Sequence, residues 1–80
     1  MKAKLTYNLD DADDRVSHLR AVKSLDLTIC LYDLDQDLRS KTKYAPDSMS
    51  EDTYKAYEDT RTTLHQLMSK YSLSFDDLLI

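Results

Sequence analysis

The sequence predicts an α-rich α+β fold, in which one N-terminal β-strand precedes a long or kinked helix and an antiparallel second helix, the two forming a helical hairpin. Three observations support this. Residues 2–9 alternate polar and apolar side chains, residues 11–44 carry apolar side chains at helical spacing without Gly or Pro, and a second helical pattern follows Pro46. A chain of 80 residues suits one domain spanning residues 1–80.

The predicted strand places Leu5, Tyr7 and Leu9 on one face and polar side chains on the other. An isolated strand leaves its backbone donors and acceptors unpaired. The partner is either the segment 73–75 or the same strand of a second copy, and the second copy offers the longer pairing. We therefore expect a homo-oligomer whose interface contains Leu5, Tyr7 and Leu9.

The first helix is expected to begin at Asp10 or Asp11, where an aspartate can cap it, and to reach about Tyr44 as one helix or with a kink near Lys23. Two opposed apolar stripes run along it and both need cover. The first stripe is Leu27, Leu31, Leu34 and Leu38, and the second stripe is Val22, Leu25, Ile29 and Tyr32. Cys30 lies within the apolar run 27–32 and is expected in the core.

The second helix is expected to begin near residues 48–50, because Ser48 and Glu51 have capping-box spacing after Pro46. Its seam toward the first helix is Tyr54, Tyr57, Arg61, Leu64, Met68 and Tyr71. Residues 72–80 are compatible with either a short strand or a helical turn.

The composition disfavours nucleic-acid binding, phosphate binding by glycine-rich loops and membrane association. The net charge of −4 has the wrong sign for general attraction to nucleic acid, so direct nucleic-acid binding is not expected. The absence of Gly disfavours phosphate-binding loops. No apolar run is long enough to span a membrane, and no signal core follows Met1, so a cytoplasmic location without membrane association is expected.

Aspartates on the first helix are the main candidates for a site. Asp33, Asp35 and Asp37 have the start of a calcium-loop spacing, but position six is Leu38 and position twelve is Tyr44, so neither a metal nor another cofactor is expected. Asp26, Asp33 and Asp37 instead share one helix face, here called the acidic stripe. It is either a solvated face or a surface that binds a basic partner.

Tyrosines and one arginine form the other candidate surface. Six tyrosines and no Trp favour binding over catalysis, because a phenol combines apolar area with a polar group. Tyr54, Tyr57 and Arg61 are therefore candidate partner-binding residues. Arg61 has an alternative structural role, either stacking on Tyr57 or pairing with an aspartate of the first helix. His18 and His65 are expected at the surface.

Residues 31–39 (LYDLDQDLR), 41–44 (KTKY) and 50–54 (SEDTY) resemble a family of small uncharacterised proteins encoded by tailed phages. The resemblance covers most of the chain. It implies a phage origin and a role in the cytosol of an infected bacterium, and it supplies no active-site residues.

Together these observations predict a non-enzymatic phage accessory protein that binds a host or immune-system protein, in the manner of a CRISPR inhibitor. One alternative is an oligomeric sponge that sequesters a small signalling nucleotide through Arg61, Lys43 and tyrosine stacking. A more remote alternative is a metal-dependent hydrolase that uses the acidic stripe.

Overall fold

The computed structural model describes residues 1–79, which form three helices. They are α1 (Ala12–Lys43), α2 (Glu51–Lys70) and α3 (Phe75–Leu79). Helix α2 runs back along α1 to form the predicted helical hairpin, and α3 packs against α1. None of the helices in the described part of the chain combines the length and apolar character needed to cross a bilayer.

The N-terminal strand predicted for residues 2–9 is wrong, because the structure has no strand anywhere in residues 1–79. Leu5 is 78% exposed and Leu9 is 51% exposed, while Tyr7 is half-buried with its ring against His18. Alternation describes side chains only, and a strand also needs a neighbour for its backbone hydrogen bonds. The strand pairing predicted through Leu5, Tyr7 and Leu9 therefore has no structural basis.

Helix α1 begins where its cap predicts and continues without interruption. The Asp11 carboxylate accepts a hydrogen bond from the Asp13 backbone N–H at 3.0 Å, and Asp13 and Asp14 lie in the first turn, where the helix dipole favours negative charge. The alternative of two helices with a kink near Lys23 is not what forms. At 1.5 Å per residue, the 32 residues of α1 span about 48 Å.

Helix α2 begins at Glu51, one residue after the predicted range of 48–50, and its cap is Ser50 instead of Ser48. The Ser50 hydroxyl accepts a hydrogen bond from the Thr53 backbone N–H at 3.2 Å. The predicted capping box of Ser48 and Glu51 is wrong, because the Met49 N–H bonds to the Pro46 carbonyl and holds Ser48 inside a turn.

Helix α2 is followed by a residue in the left-handed backbone conformation. Ser72 has φ of 56°, and the Leu73 N–H returns to the Met68 carbonyl at 2.8 Å. The Ser74 hydroxyl then accepts from the Asp77 N–H at 3.4 Å, at the start of α3. The structure thus selects the helical turn over the strand for the described part of 72–80; Ile80 lies outside the described residues.

The core of the hairpin is small and lies at one end of α1. Leu38 (6% exposed) and Met68 (7%) are its most buried apolar side chains. Lys41 lies over Tyr57, and Asp35 meets Arg61 and His65. This antiparallel register brings the end of α2 beside about residue 28 of α1. The N-terminal half of α1 therefore projects beyond the hairpin.

Cys30, expected in the core, is exposed, because α2 packs on a face of α1 that lies to one side of it. The first stripe is only partly covered: Leu38 is buried and Leu31 half-buried, but Leu27 and Leu34 are exposed. The molecule is correspondingly long, with extents of 56 × 30 × 20 Å.

Candidate functional site

The most buried ionisable group is Asp35, which the structure places between α1 and α2. Its side chain is 3% exposed. It accepts hydrogen bonds from Arg61 Nε at 2.8 Å and Arg61 Nη2 at 3.4 Å, from His65 Nε2 at 2.5 Å, and from Gln36 Nε2 at 3.1 Å. We call Asp35, Arg61 and His65 the interhelical cluster, since it joins the C-terminal part of α1 to α2.

Opposing effects set the charge state of this cluster. Burial raises the pKa of Asp35, but hydrogen bonds from Arg61 and His65, together with their positive potential, outweigh burial and hold that pKa below its usual value of 3.8. The hydrogen bond to Asp35 also raises the pKa of the Arg61 guanidinium. Asp35 and Arg61 are thus a charged pair at neutral pH.

The hydrogen-bonding capacity of Asp35 is fully engaged. A carboxylate offers about four lone-pair positions, and four donor contacts approach this one. It is therefore poorly placed to act as a base or a metal ligand, and the arrangement favours a role in fixing the register of the two helices. The sequence draws attention to Asp35 only through the rejected calcium-loop spacing, although its distance along the helix from Leu31 and Leu38 puts it on the face toward α2.

Arg61, a candidate partner-binding residue, is engaged inside the protein, in one of the two structural roles foreseen for it. Its side chain is 35% exposed. His65, expected at the surface, is half-exposed but joins the same carboxylate. The sponge alternative required Arg61 to bind an anion, and that guanidinium already holds Asp35.

The two candidate tyrosines lie on α2, near the connection to α1. The Tyr57 ring is half-buried, with Lys41 Nζ 5.9 Å from its centroid. Tyr54 is 38% exposed, and the charge of Glu58, together with a hydrogen bond to it, raises the pKa of the Tyr54 phenol. Tyr54 thus offers a polar, half-exposed contact, while Tyr57 contributes to the hairpin.

The structure places all three residues of the acidic stripe at the surface of α1. Asp26 is paired with Lys23 at 3.5 Å, and Asp37 with Lys41 at 2.7 Å. The hydrogen bond to Asp37 raises the pKa of the Lys41 ammonium. Asp33 is exposed as well. Within residues 1–79, no three His, Cys, Asp or Glu side chains are arranged to hold a metal ion.

The fold leaves the second stripe open to solvent. Val22 is 58% exposed, Leu25 is 56% exposed and Ile29 is 42% exposed. Aromatic contacts bound it at both ends: Tyr7 packs on His18 at one end, and Phe75 packs on Tyr32 at the other, with ring centroids 5.5 and 5.4 Å apart. An apolar patch framed in this way is typical of a protein-binding surface.

Comparison with protein-family models, curated proteins and solved structures finds no match to this chain.

Proposed function

We propose that this chain is a non-enzymatic accessory protein that acts by binding another protein through the second stripe of α1. The observation that carries the proposal is the exposure of Val22, Leu25 and Ile29 on a helix that extends past its own hairpin. Small folded proteins rarely leave contiguous apolar side chains open to water unless a partner covers them.

The chemistry of the partner follows from the surroundings of the stripe. Asp26 and Asp33 lie beside Val22 and Ile29 on the helix surface, and both are exposed. The complementary surface is therefore apolar at its centre and basic at its rim. Rim charges of this kind accelerate encounter and select partners more than they add affinity.

The structural role of the interhelical cluster also supports binding over catalysis. The buried Asp35 carboxylate is occupied by internal hydrogen bonds that tie α2 to α1, so it is used in the fold and not at a reactive site. The resemblance to tailed-phage proteins points to a bacterial host factor or an immune component, such as a CRISPR effector, as the partner, and to the host cytosol as the place of action.

The experiment is affinity capture from a bacterial host lysate with immobilised protein, comparing two variants. Leu25→Gln combined with Ile29→Gln removes apolar area from the second stripe. Leu67→Gln is the matched control, because Leu67 is 49% exposed on α2 and lies away from the stripe. The proposal requires a single protein that the wild type and the control capture and the stripe variant loses.

Calorimetry with that purified protein must then give a defined stoichiometry. The proposal is contradicted if all three baits capture the protein equally. It is also contradicted if Leu67→Gln loses capture to the same extent as the stripe variant. Far-UV circular dichroism checks that each variant keeps its helices.

A further inference from the structure

A second surface of α1 carries a different inference. Leu19, Leu27 and Cys30 form a shallow apolar groove of about 500 Å³, together with the aliphatic parts of Arg20, Lys23 and Asp26. We call it the α1 groove. Val16 and Leu34 extend it along the same side of the helix, and they are 47% and 45% exposed. The groove therefore runs about 27 Å along α1, at 1.5 Å per residue.

We propose that the α1 groove binds the same groove of a second copy of this chain, with the two α1 helices antiparallel about a two-fold axis near residues 24 and 25. This proposal goes beyond the function proposed above and does not depend on it, because the apolar side chains of the groove lie on a different side of the helix and only Asp26 borders both surfaces.

The charges within the groove favour a second copy of the chain as the partner and an antiparallel arrangement of the two α1 helices. Lys23 and Asp26 lie near its middle, and they are 3.5 Å apart within one chain. An antiparallel pairing about the proposed axis brings Lys23 of each copy beside Asp26 of the other. A parallel pairing would bring Lys23 beside Lys23 and Asp26 beside Asp26, and like charges across a helix pair are unfavourable.

The apolar positions fit the same register. With the axis near residues 24 and 25, Leu19 of one copy lies beside Cys30 of the other, and Val16 lies beside Leu34. Each end of the groove thus meets the opposite end of its partner, as an isologous interface requires. The second stripe is less suited to self-pairing, because Tyr7 and Phe75 already occupy its ends.

The chain as a whole exposes more surface than a compact protein of its mass, and this excess is larger than the area that a standard dimer interface removes. The chain exposes 6917 Å², whereas a compact protein of 9.3 kDa exposes about 5,000 Å². Its radius of gyration is 17.7 Å, against about 12 Å for a compact domain of this length. A standard interface removes about 600–1,000 Å² from each partner, which is well within this excess.

Disulfide cross-linking tests the pairing directly. The variant Leu19→Cys keeps the native Cys30, so mild oxidation is expected to join two copies through a pair of symmetric disulfides. Leu25→Cys is the matched control, because Leu19 and Leu25 are both 56% exposed but lie on different sides of α1. The wild type, with Cys30 alone, should cross-link no faster than this control.

Two results in this assay would overturn the proposal. Equal cross-linking of Leu19→Cys and Leu25→Cys would mean that collisions, not a defined interface, bring the chains together. Rapid cross-linking of the wild type through Cys30 would show a parallel pairing.

Sedimentation equilibrium at tens of micromolar supplies a second readout. The wild type is expected at twice the chain mass of 9.3 kDa. Leu27→Glu, in the middle of the groove, should raise the dimer dissociation constant by about tenfold or more, because it buries an unpaired charge. Leu25→Glu should leave that constant unchanged. A wild type that sediments as a monomer refutes the dimer and leaves the proposed binding through the second stripe untouched.

Discussion

The interhelical cluster should hold the hairpin together, and Asp35→Asn is the direct perturbation. The substitution keeps the shape of the side chain and removes its charge. It also replaces one carboxylate oxygen with an amide N–H₂, which faces a hydrogen-bond donor instead of accepting from it. Hydrogen bonds to charged groups contribute about 1.5–3 kcal/mol. Because the Arg61 side chain is 35% exposed and can recover water, we expect a loss of about 2 kcal/mol.

A double-mutant cycle separates this contact from other effects of substitution. Arg61→Met alone leaves a buried carboxylate with His65 and Gln36 as its remaining donors, and it should cost about 1.5–2 kcal/mol. Once Arg61 is gone, Asp35→Asn should cost little more. We expect a coupling free energy of about 1.5 kcal/mol between the two positions.

The assay is urea denaturation followed by far-UV circular dichroism, with every variant at the same protein concentration because dimerisation would add to apparent stability. Asp37→Asn is the matched control: this aspartate lies on the same helix with its side chain 60% exposed, and its substitution should leave the denaturation midpoint unchanged. An Asp35→Asn variant as stable as the control, or a cycle with no coupling, would refute the role assigned to the cluster.

Four further results are expected. Acid should destabilise the hairpin, because the pKa of Asp35 is lowered in the folded chain. The stabilisation from Asp35 is complete above its unfolded pKa near 3.8 and is lost as pH falls through the lower folded value. Urea midpoints measured from pH 6 to pH 2 should therefore fall less steeply in Asp35→Asn than in the wild type. Ser50→Ala removes the cap of α2 and should cost about 1 kcal/mol in the same denaturation assay, whereas an unchanged midpoint would mean that the cap contributes nothing. Ser72→Gly should stabilise the protein by about 0.5–1 kcal/mol, because glycine adopts the left-handed conformation without strain; a lower melting temperature would contradict this. Leu5→Pro should leave both the melting temperature and the sedimentation behaviour unchanged, since no ladder hydrogen bond exists there to lose.

The helices could be predicted from the sequence because their signals are local. Asp11 supplies a cap, no Gly or Pro interrupts the next 32 residues, and Pro46 marks the connection. The strand could not be judged in the same way, since its existence depends on a neighbour that this chain does not supply. The exposure of Cys30 had the same cause: an apolar run predicts burial only when something is present to cover it.

The candidate site was predictable only in part. Helical spacing predicts that the acidic stripe shares one face of α1. The pairing of Arg61 with an aspartate of the first helix is one of the two structural roles that the sequence predicts for it. Which aspartate it would meet depends on the rotation of α2 about α1, and that rotation is set by packing around Leu38 and Met68. The sequence alone therefore does not distinguish Asp35 from Asp33 and Asp37, which are exposed.

The projecting half of α1 implies an uneven distribution of local stability along one continuous helix. An isolated helix of about 16 residues is marginal in water, so residues 12–27 should open by fraying, independently of global unfolding. Amide hydrogen exchange would then show a gradient, from slow near Leu38 to fast near Val16. The dimer proposed through the α1 groove would cover this half and remove the gradient, so the helix content of the protein should rise with its own concentration.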